Sequence, residues 1–213
     1  MKLFLSSYRF GDHADAFATL TGHGARIAVI AAAADAWPVA ARSSAVTSEL
    51  VSLRRTGFDA AEVDLRDYLH SPDSLHRHLR AFDCVWVRGG NTFVLRAQLA
   101  RSGADRILAE LARSGDIVYA GYSAGAAVAG PTLIGLDVTD DPSEVLPTCG
   151  FEPIWSGLSL IDFAIVPHGG ASELEDPAAT AKTVEILTAS HIPYRVLTDQ
   201  QVVIVDGGEP YVL

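Results

Sequence analysis

The chain of 213 residues is 49% hydrophobic and 20% charged and carries a formal net charge of −10 at pH 7. A composition this near the globular average excludes disordered and collagen-like classes. The acidic balance excludes a nucleic-acid or anionic-membrane partner, because a phosphate surface requires clustered Lys and Arg to displace its counterions.

With no composition break, residues 1–213 are expected to form a single domain with a sizeable core. The first residues, Met1-Lys2-Leu3-Phe4-Leu5-Ser6, turn polar at Arg9, Asp12 and His13, unlike a signal peptide. No window approaches an uncharged membrane span. The two cysteines, Cys84 and Cys149, make no CxxC spacing and no disulfide framework, so the expected compartment is the cytoplasm.

In chain order, short β-branched runs at 2–6, 26–31, 61–65, 84–87 and 117–120 read as strands, with amphipathic segments between them. That alternation predicts parallel βαβ units. A helix is predicted over 39–55, with Val39, Ala40, Val46, Leu50 and Leu53 mostly on one face and Gly57 ending it. Continuous apolar strands such as Ile27-Ala28-Val29-Ile30 imply burial on both faces of the sheet. The fold class is therefore α/β, a three-layer α/β/α sandwich with a mostly parallel central sheet. Residues 131–157 lack periodicity and read as a long, acidic surface loop. A strand at 161–166, a helix at 177–190 and a closing pair at 195–197 and 202–205, with 211–213, complete the chain.

The strongest chemical signal is Gly121-Tyr122-Ser123-Ala124-Gly125, a G-x-S-x-G turn directly after a buried-type strand and before a small-residue helix start. This is the setting of a nucleophile elbow, with Ser123 raised above the sheet. The Ala124 N–H at the helix start is placed to stabilise an oxyanion. A second strand ends in Arg88-Gly89-Gly90-Asn91-Thr92. It should face the same crevice, where Gly89 or Gly90 offers a second oxyanion donor and Asn91 either caps the next helix or contacts substrate.

A serine hydroxyl needs a base. Of the seven histidines, His13, His23, His70 and His191 lie in polar or turn-like surroundings, and His76 and His78 diverge on a helix, which argues against a metal site. His168 follows a strand and precedes Gly169-Gly170, so it is the candidate base. For the carboxylate that orients it, Asp199 between two late strands comes first, with Asp140, Asp141, Glu173 and Glu175 as competitors.

Together, Gly121-Tyr122-Ser123-Ala124-Gly125-Ala126, Gly89-Gly90-Asn91-Thr92-Phe93 and Pro167-His168 resemble peptidase E, the aspartyl dipeptidase family of serine peptidases related to cyanophycinase. The resemblance spans nearly the whole chain and implies a fold similar to class I glutamine amidotransferase domains. It implies Ser123 as nucleophile, His168 as general base, Gly90 and Ala124 as oxyanion donors, and an acid at Asp199, where the family commonly has glutamate followed by glycine. It further implies a short peptide substrate, no organic cofactor and no metal. A monomer and a homodimer are both compatible with the sequence.

The implied Asp-Xaa specificity meets a departure. Family members hold the substrate carboxylate with a basic residue beyond the histidine, whereas residues 169–181 contain no Arg or Lys and carry Glu173, Glu175 and Asp176. The acidic loop Asp137–Glu144, with Asp140 and Asp141, instead suits a substrate's free α-amino group. An esterase, a cyanophycinase-like depolymerase and a non-catalytic binding relative are the rival readings.

Overall fold

The computed structural model describes residues 1–170 and 172–213. Its strands are β1 (Lys2–Ser6), β2 (Arg26–Ile30), β3 (Asp59–Glu62), β4 (Cys84–Val87), β5 (Val118–Tyr122), β6 (Ala164–Val166), β7 (Tyr194–Val196), β8 (Val202–Asp206) and β9 (Tyr211–Val212). Seven of them form one sheet in the order β3-β2-β4-β5-β1-β8-β9. The first five in that order are mutually parallel, β8 runs antiparallel to β1, and β9 antiparallel to β8.

Side-chain alternation along each strand creates two apolar faces. Leu3, Leu5, Val85, Val87 and Tyr119 point to one, packed by α3 (Pro72–Leu79), α4 (Thr92–Ser102) and α5 (Ala104–Ser114). Phe4, Ile27, Val29, Trp86 and Tyr122 point to the other, packed by Phe17 and Leu20 of α1 (Ala14–Thr21) and by Leu53 of α2 (Val39–Arg55). The molecule is thus an α/β/α sandwich, and each fully buried Leu, Ile or Phe contributes roughly 1.5–3 kcal/mol. Among the described residues, no helix is long and apolar enough to cross a membrane.

Several local expectations are corrected. The third strand starts two residues earlier than 61–65 and ends three earlier, because the Asp64 side chain accepts the Arg66 N–H and starts a 3-10 turn at Leu65. The second strand stops one residue short of 31, before a 3-10 turn at Ala32–Ala34, while the fifth runs on to Tyr122 at the lip of the elbow.

On α2 the inward face is not simply apolar. Val46 and Leu53 are buried with Arg42 and Glu49, whereas Val39 is 83% exposed. Both charged groups have partners that make burial tolerable. Arg42 pairs with Asp35, Glu62 and Asp64, and Glu49 accepts from the Trp86 indole and the Tyr122 hydroxyl.

Residues 131–157 are not a plain surface loop. They contain two 3-10 turns and the short helix α7 (Val145–Cys149), and they bury Leu133, Leu136, Val145 and Cys149 in the core. The segment 161–166 is extended only at Ala164–Val166, since the Leu160 and Ile161 N–H groups donate to the Ala129 carbonyl. The two late strands do not pair with each other. β7 pairs in parallel with β6 in a separate two-stranded sheet, while β8 joins the main sheet beside β1. The segment carrying Asp199 therefore links two sheets rather than turning a hairpin.

Candidate active site

The carboxyl ends of β1, β4 and β5 lie side by side, with Leu5 and Val87 both opposite Gly121. Ser123 leaves β5 there and caps α6 (Ala124–Ala127) with φ 50° and ψ −117°. This conformation is unfavourable for an L-residue and stores about 1–3 kcal/mol. The surroundings enforce it. The Ser123 N–H donates to the carbonyls of Ser6 and Ser7 at 3.2 and 3.1 Å, and the Ser123 carbonyl accepts from Ala126 and Ala127. The flanking glycines are steric necessities: a Cβ on Gly125 would overlap the Val87 carbonyl oxygen, and one on Gly121 would lie 2.5 Å from the Gly125 oxygen.

His168 follows β6 and is 9% exposed. Its Nε2 lies 3.1 Å from Ser123 Oγ, and its Nδ1 lies 2.7 Å from Asp199 Oδ1. A carboxylate only accepts, so the proton sits on Nδ1 and Nε2 is free to accept the serine hydrogen. Ser7 Oγ accepts the His168 backbone N–H at 2.7 Å and donates to Asp199 Oδ1 at 3.0 Å. Ser172 Oγ donates to Asp199 Oδ2 at 2.6 Å. Burial pushes the Asp199 pKa up, but the hydrogen bonds from Ser172, His168 and Ser7 outweigh it and hold the carboxyl below its ordinary 3.8.

Beneath the elbow, Glu49 receives the Tyr122 hydroxyl at 2.6 Å and the Trp86 Nε1–H at 3.1 Å, with the Arg9 and Arg88 guanidinium groups each 3.7 Å away. Arg88 also stacks over Trp37 and donates to the Gly89 carbonyl. That cation is not part of the cavity's lining, although Trp37, over which it stacks, is.

The cavity beside Ser123 and His168 encloses about 420 Å³ and is bordered by Gly90, Asp140, Glu175 and Thr180. Gly90 has φ 143°, and a Cβ there would lie 2.6 Å from the Ala33 carbonyl oxygen. Gly89 abuts Ser123, since a Cβ on it would lie 2.9 Å from the Ser123 Cβ. Among the described residues, the N–H groups of Gly90 and Ala124 donate to no protein acceptor.

Asn91 lines the cavity but has no polar position left. Its Oδ1 accepts the N–H groups of Phe93 and Val94, capping α4, and its Nδ2 donates to the Asp141 carbonyl and Glu144 Oε2. Asp140 Oδ2 accepts the Thr92 N–H at 2.9 Å. Burial raises its pKa, the Thr92 contacts lower it, and Glu175 and Glu144 raise it again, for a net upward shift. Asp141, exposed, is held low by the Ser143 side chain and N–H. Glu173 is exposed, and neither it nor Asp140, Asp141 or Glu175 hydrogen-bonds to His168. Among the described residues no group of three His, Cys, Asp or Glu is disposed to hold a metal ion.

Sequence reasoning missed Ser7, Ser172 and Thr180, and reached Glu144 only as the end of the acidic loop. Ser7 alone had a usable signal: it directly follows a strand whose end lies at the catalytic edge.

Compared with known proteins, the pattern of peptidase family S51 matches residues 5–213. An uncharacterized peptidase of Listeria innocua is 32% identical over 117 residues, 55% of this chain and 53% of that protein. Peptidase E of Streptomyces coelicolor is 37% identical over 108 residues, 51% of this chain and 40% of that protein. The chain thus spans about half or less of the length of these curated relatives. In three dimensions, a candidate peptidase E from Listeria monocytogenes EGD-e superposes with a TM-score of 0.78 at 26% identity, over 100% of this chain and 97% of that one. A peptidase from an acI-B1 actinobacterium shares the fold, with a TM-score of 0.74 at 16% identity, over 100% and 86% of the two chains.

Proposed function

The chain belongs to peptidase family S51, a family of serine-type peptidases, and from that premise we propose that it hydrolyses short peptides at a free amino terminus through an acyl-enzyme on Ser123. The observation that carries this reading is the continuous hydrogen-bonded line from Ser123 Oγ through His168 to Asp199, beside two free backbone N–H groups.

In the proposed mechanism, His168 Nε2 takes the Ser123 hydroxyl proton as Oγ bonds to the scissile carbonyl carbon. The N–H groups of Gly90 and Ala124 receive the developing oxyanion. Collapse of the tetrahedral adduct breaks the C–N bond, and the proton on Nε2 passes to the leaving amine. Water then attacks the ester with His168 again as base, releasing the acid and restoring Ser123. Asp199 does not take the proton. It fixes the imidazole tautomer and stabilises the transient imidazolium.

Asp140 and Asp141 line the cavity, and on this reading they are assigned to the substrate's α-ammonium. Gly89 and Asn91 act by shape and by holding the wall in place. The Asp-Xaa selectivity implied by the peptidase E resemblance finds no support in the lining, which among the described residues contains no Lys or Arg. An amino-terminal residue other than aspartate suits it better.

The test is a panel of dipeptides and matched esters offered to wild type and Ser123→Ala, with fluorophosphonate labelling of both. Peptide turnover and labelling that both vanish in Ser123→Ala support the reading. Ester turnover alone moves it to an esterase, and an unlabelled, inactive wild type moves it to a binding protein.

A further inference from the structure

Carboxylates buried elsewhere in this protein are paired. Asp35 is met by Arg42 and Arg66, and Glu49 by Arg9 and Arg88. The cavity beside Ser123 is different: its carboxylates are half-buried or, at Asp141, exposed. Asp140, Asp141, Glu144 and Glu175 all line it, and among the described residues none of the four is in an ion pair. Their existing bonds leave capacity: Asp140 Oδ2 takes one N–H, Glu144 Oε2 takes the Asn91 amide, and Glu175 Oε1 takes the Asp176 N–H.

A second, independent observation points to a ligand in the same space. Thr180 is only 8% exposed and lines this cavity, yet among the described residues its Oγ1 has no hydrogen-bond partner. A buried hydroxyl without a partner is an uncompensated desolvation, which a bound polar group would relieve.

One α-ammonium would offset a single carboxylate and leave the lining strongly negative. Resting on the peptidase reading above, we infer that the cavity selects peptides whose amino-terminal residue is itself cationic, lysine or arginine, with Asp140 and Glu175 sharing its two positive groups and Thr180 Oγ1 accepting one of their N–H donors. An aspartyl side chain in the same place would face four carboxylates and no cation, a like-charge arrangement that acts as rejection. The raised pKa of Asp140, set by burial and sustained by Glu175 and Glu144, is consistent with a site awaiting positive charge.

The deciding experiment separates binding from chemistry. Ser123→Ala protein is titrated calorimetrically with Lys-Ala, norleucyl-Ala, which has the same length without the charge, and Asp-Ala, and wild type is assayed on all three. Lys-Ala is expected to bind about tenfold or more tightly than norleucyl-Ala, the scale of a charge-assisted hydrogen bond. Adding Glu175→Gln should shrink that margin, weakening Lys-Ala more than norleucyl-Ala, and wild-type kcat/KM should rank the peptides in the same order. Equal binding of norleucyl-Ala, tighter binding of Asp-Ala, or binding of none of the three overturns the inference. Lys-Ala preference retained by Ser123→Ala, with no hydrolysis by wild type, would instead refute the peptidase reading alone.

Discussion

His168 Nε2 sits 3.1 Å from Ser123 Oγ across 45 residues of sequence, and Ser7 binds both partners' backbones: its carbonyl accepts the Ser123 N–H and its hydroxyl accepts the His168 N–H. The same hydroxyl donates to Asp199 Oδ1, the oxygen that holds the His168 ring. One serine directly after β1 thus ties Ser123, His168 and Asp199 to the central sheet.

If Ser7 and Ser172 position Asp199, Ser7→Ala and Ser172→Ala should each lower kcat about tenfold with little change in KM, the scale of one charge-assisted hydrogen bond. Asp199→Asn should lower kcat by roughly 10⁴-fold, because the amide no longer fixes the imidazole tautomer. Steady-state kinetics on one dipeptide substrate, with circular dichroism to verify folding, checks the order. Full activity in Ser172→Ala would remove that residue from the positioning shell.

Replacing Ser123 should separate chemistry from strain. Both Ser123→Ala and Ser123→Gly should lose at least about 10³-fold in kcat/KM. Only glycine adopts φ 50°, ψ −117° without a steric penalty, so Ser123→Gly should exceed Ser123→Ala in stability by about 1 kcal/mol. Urea denaturation of the two variants measures the difference.

Gly125→Ala should be among the most damaging single changes, costing more than about 3 kcal/mol, since its Cβ would enter the Val87 carbonyl. Gly207 has φ 73° but open space around it, so Gly207→Ala should cost only about 1 kcal/mol, the conformational part alone. Thermal unfolding of both variants distinguishes a clash from a backbone preference.

Asp199 and Asp140 should titrate stability in opposite senses. The Asp199 pKa is depressed in the folded state, so its stabilising contribution is present above the unfolded value near 3.8 and is lost as pH falls through the lower folded value. The Asp140 pKa is raised, so its favourable contribution is present below 3.8 and is lost as pH rises through the higher folded value. Asp199→Asn should therefore lower Tm at neutral pH, Asp140→Asn should raise it, and both differences should shrink in acid. A Tm series over pH reads both signs.

Removing Glu49 should destabilise by roughly 3–5 kcal/mol, because Arg9 and Arg88 would be left without their common partner. In Glu49→Ala the Tyr122 hydroxyl also loses its acceptor, directly before the nucleophile. Chemical denaturation alongside kcat shows whether the loss reaches the elbow.

What the sequence alone determined about this protein is local. Gly121-Tyr122-Ser123-Ala124-Gly125 directly after a strand specifies the elbow, because the backbone there tolerates no Cβ on either side. The continuous apolar run Ile27-Ala28-Val29-Ile30 likewise foretells a sheet covered on both faces. The helix at Val39–Arg55 was legible from end to end. Its buried charges were not, because their partners Trp86, Tyr122, Asp35, Glu62 and Asp64 lie on other elements.

Only the tertiary structure decided that β6 and β7 form a sheet of their own and that the link between β7 and β8 delivers Asp199 to His168. It alone made the aperiodic stretch 131–157 the acidic wall of the cavity and brought Ser7, Ser172 and Thr180 to the site. Each of these depends on contacts between residues tens of positions apart. Strand partnership and the convergence of side chains are set by packing energy over the whole chain, and no local spacing encodes them.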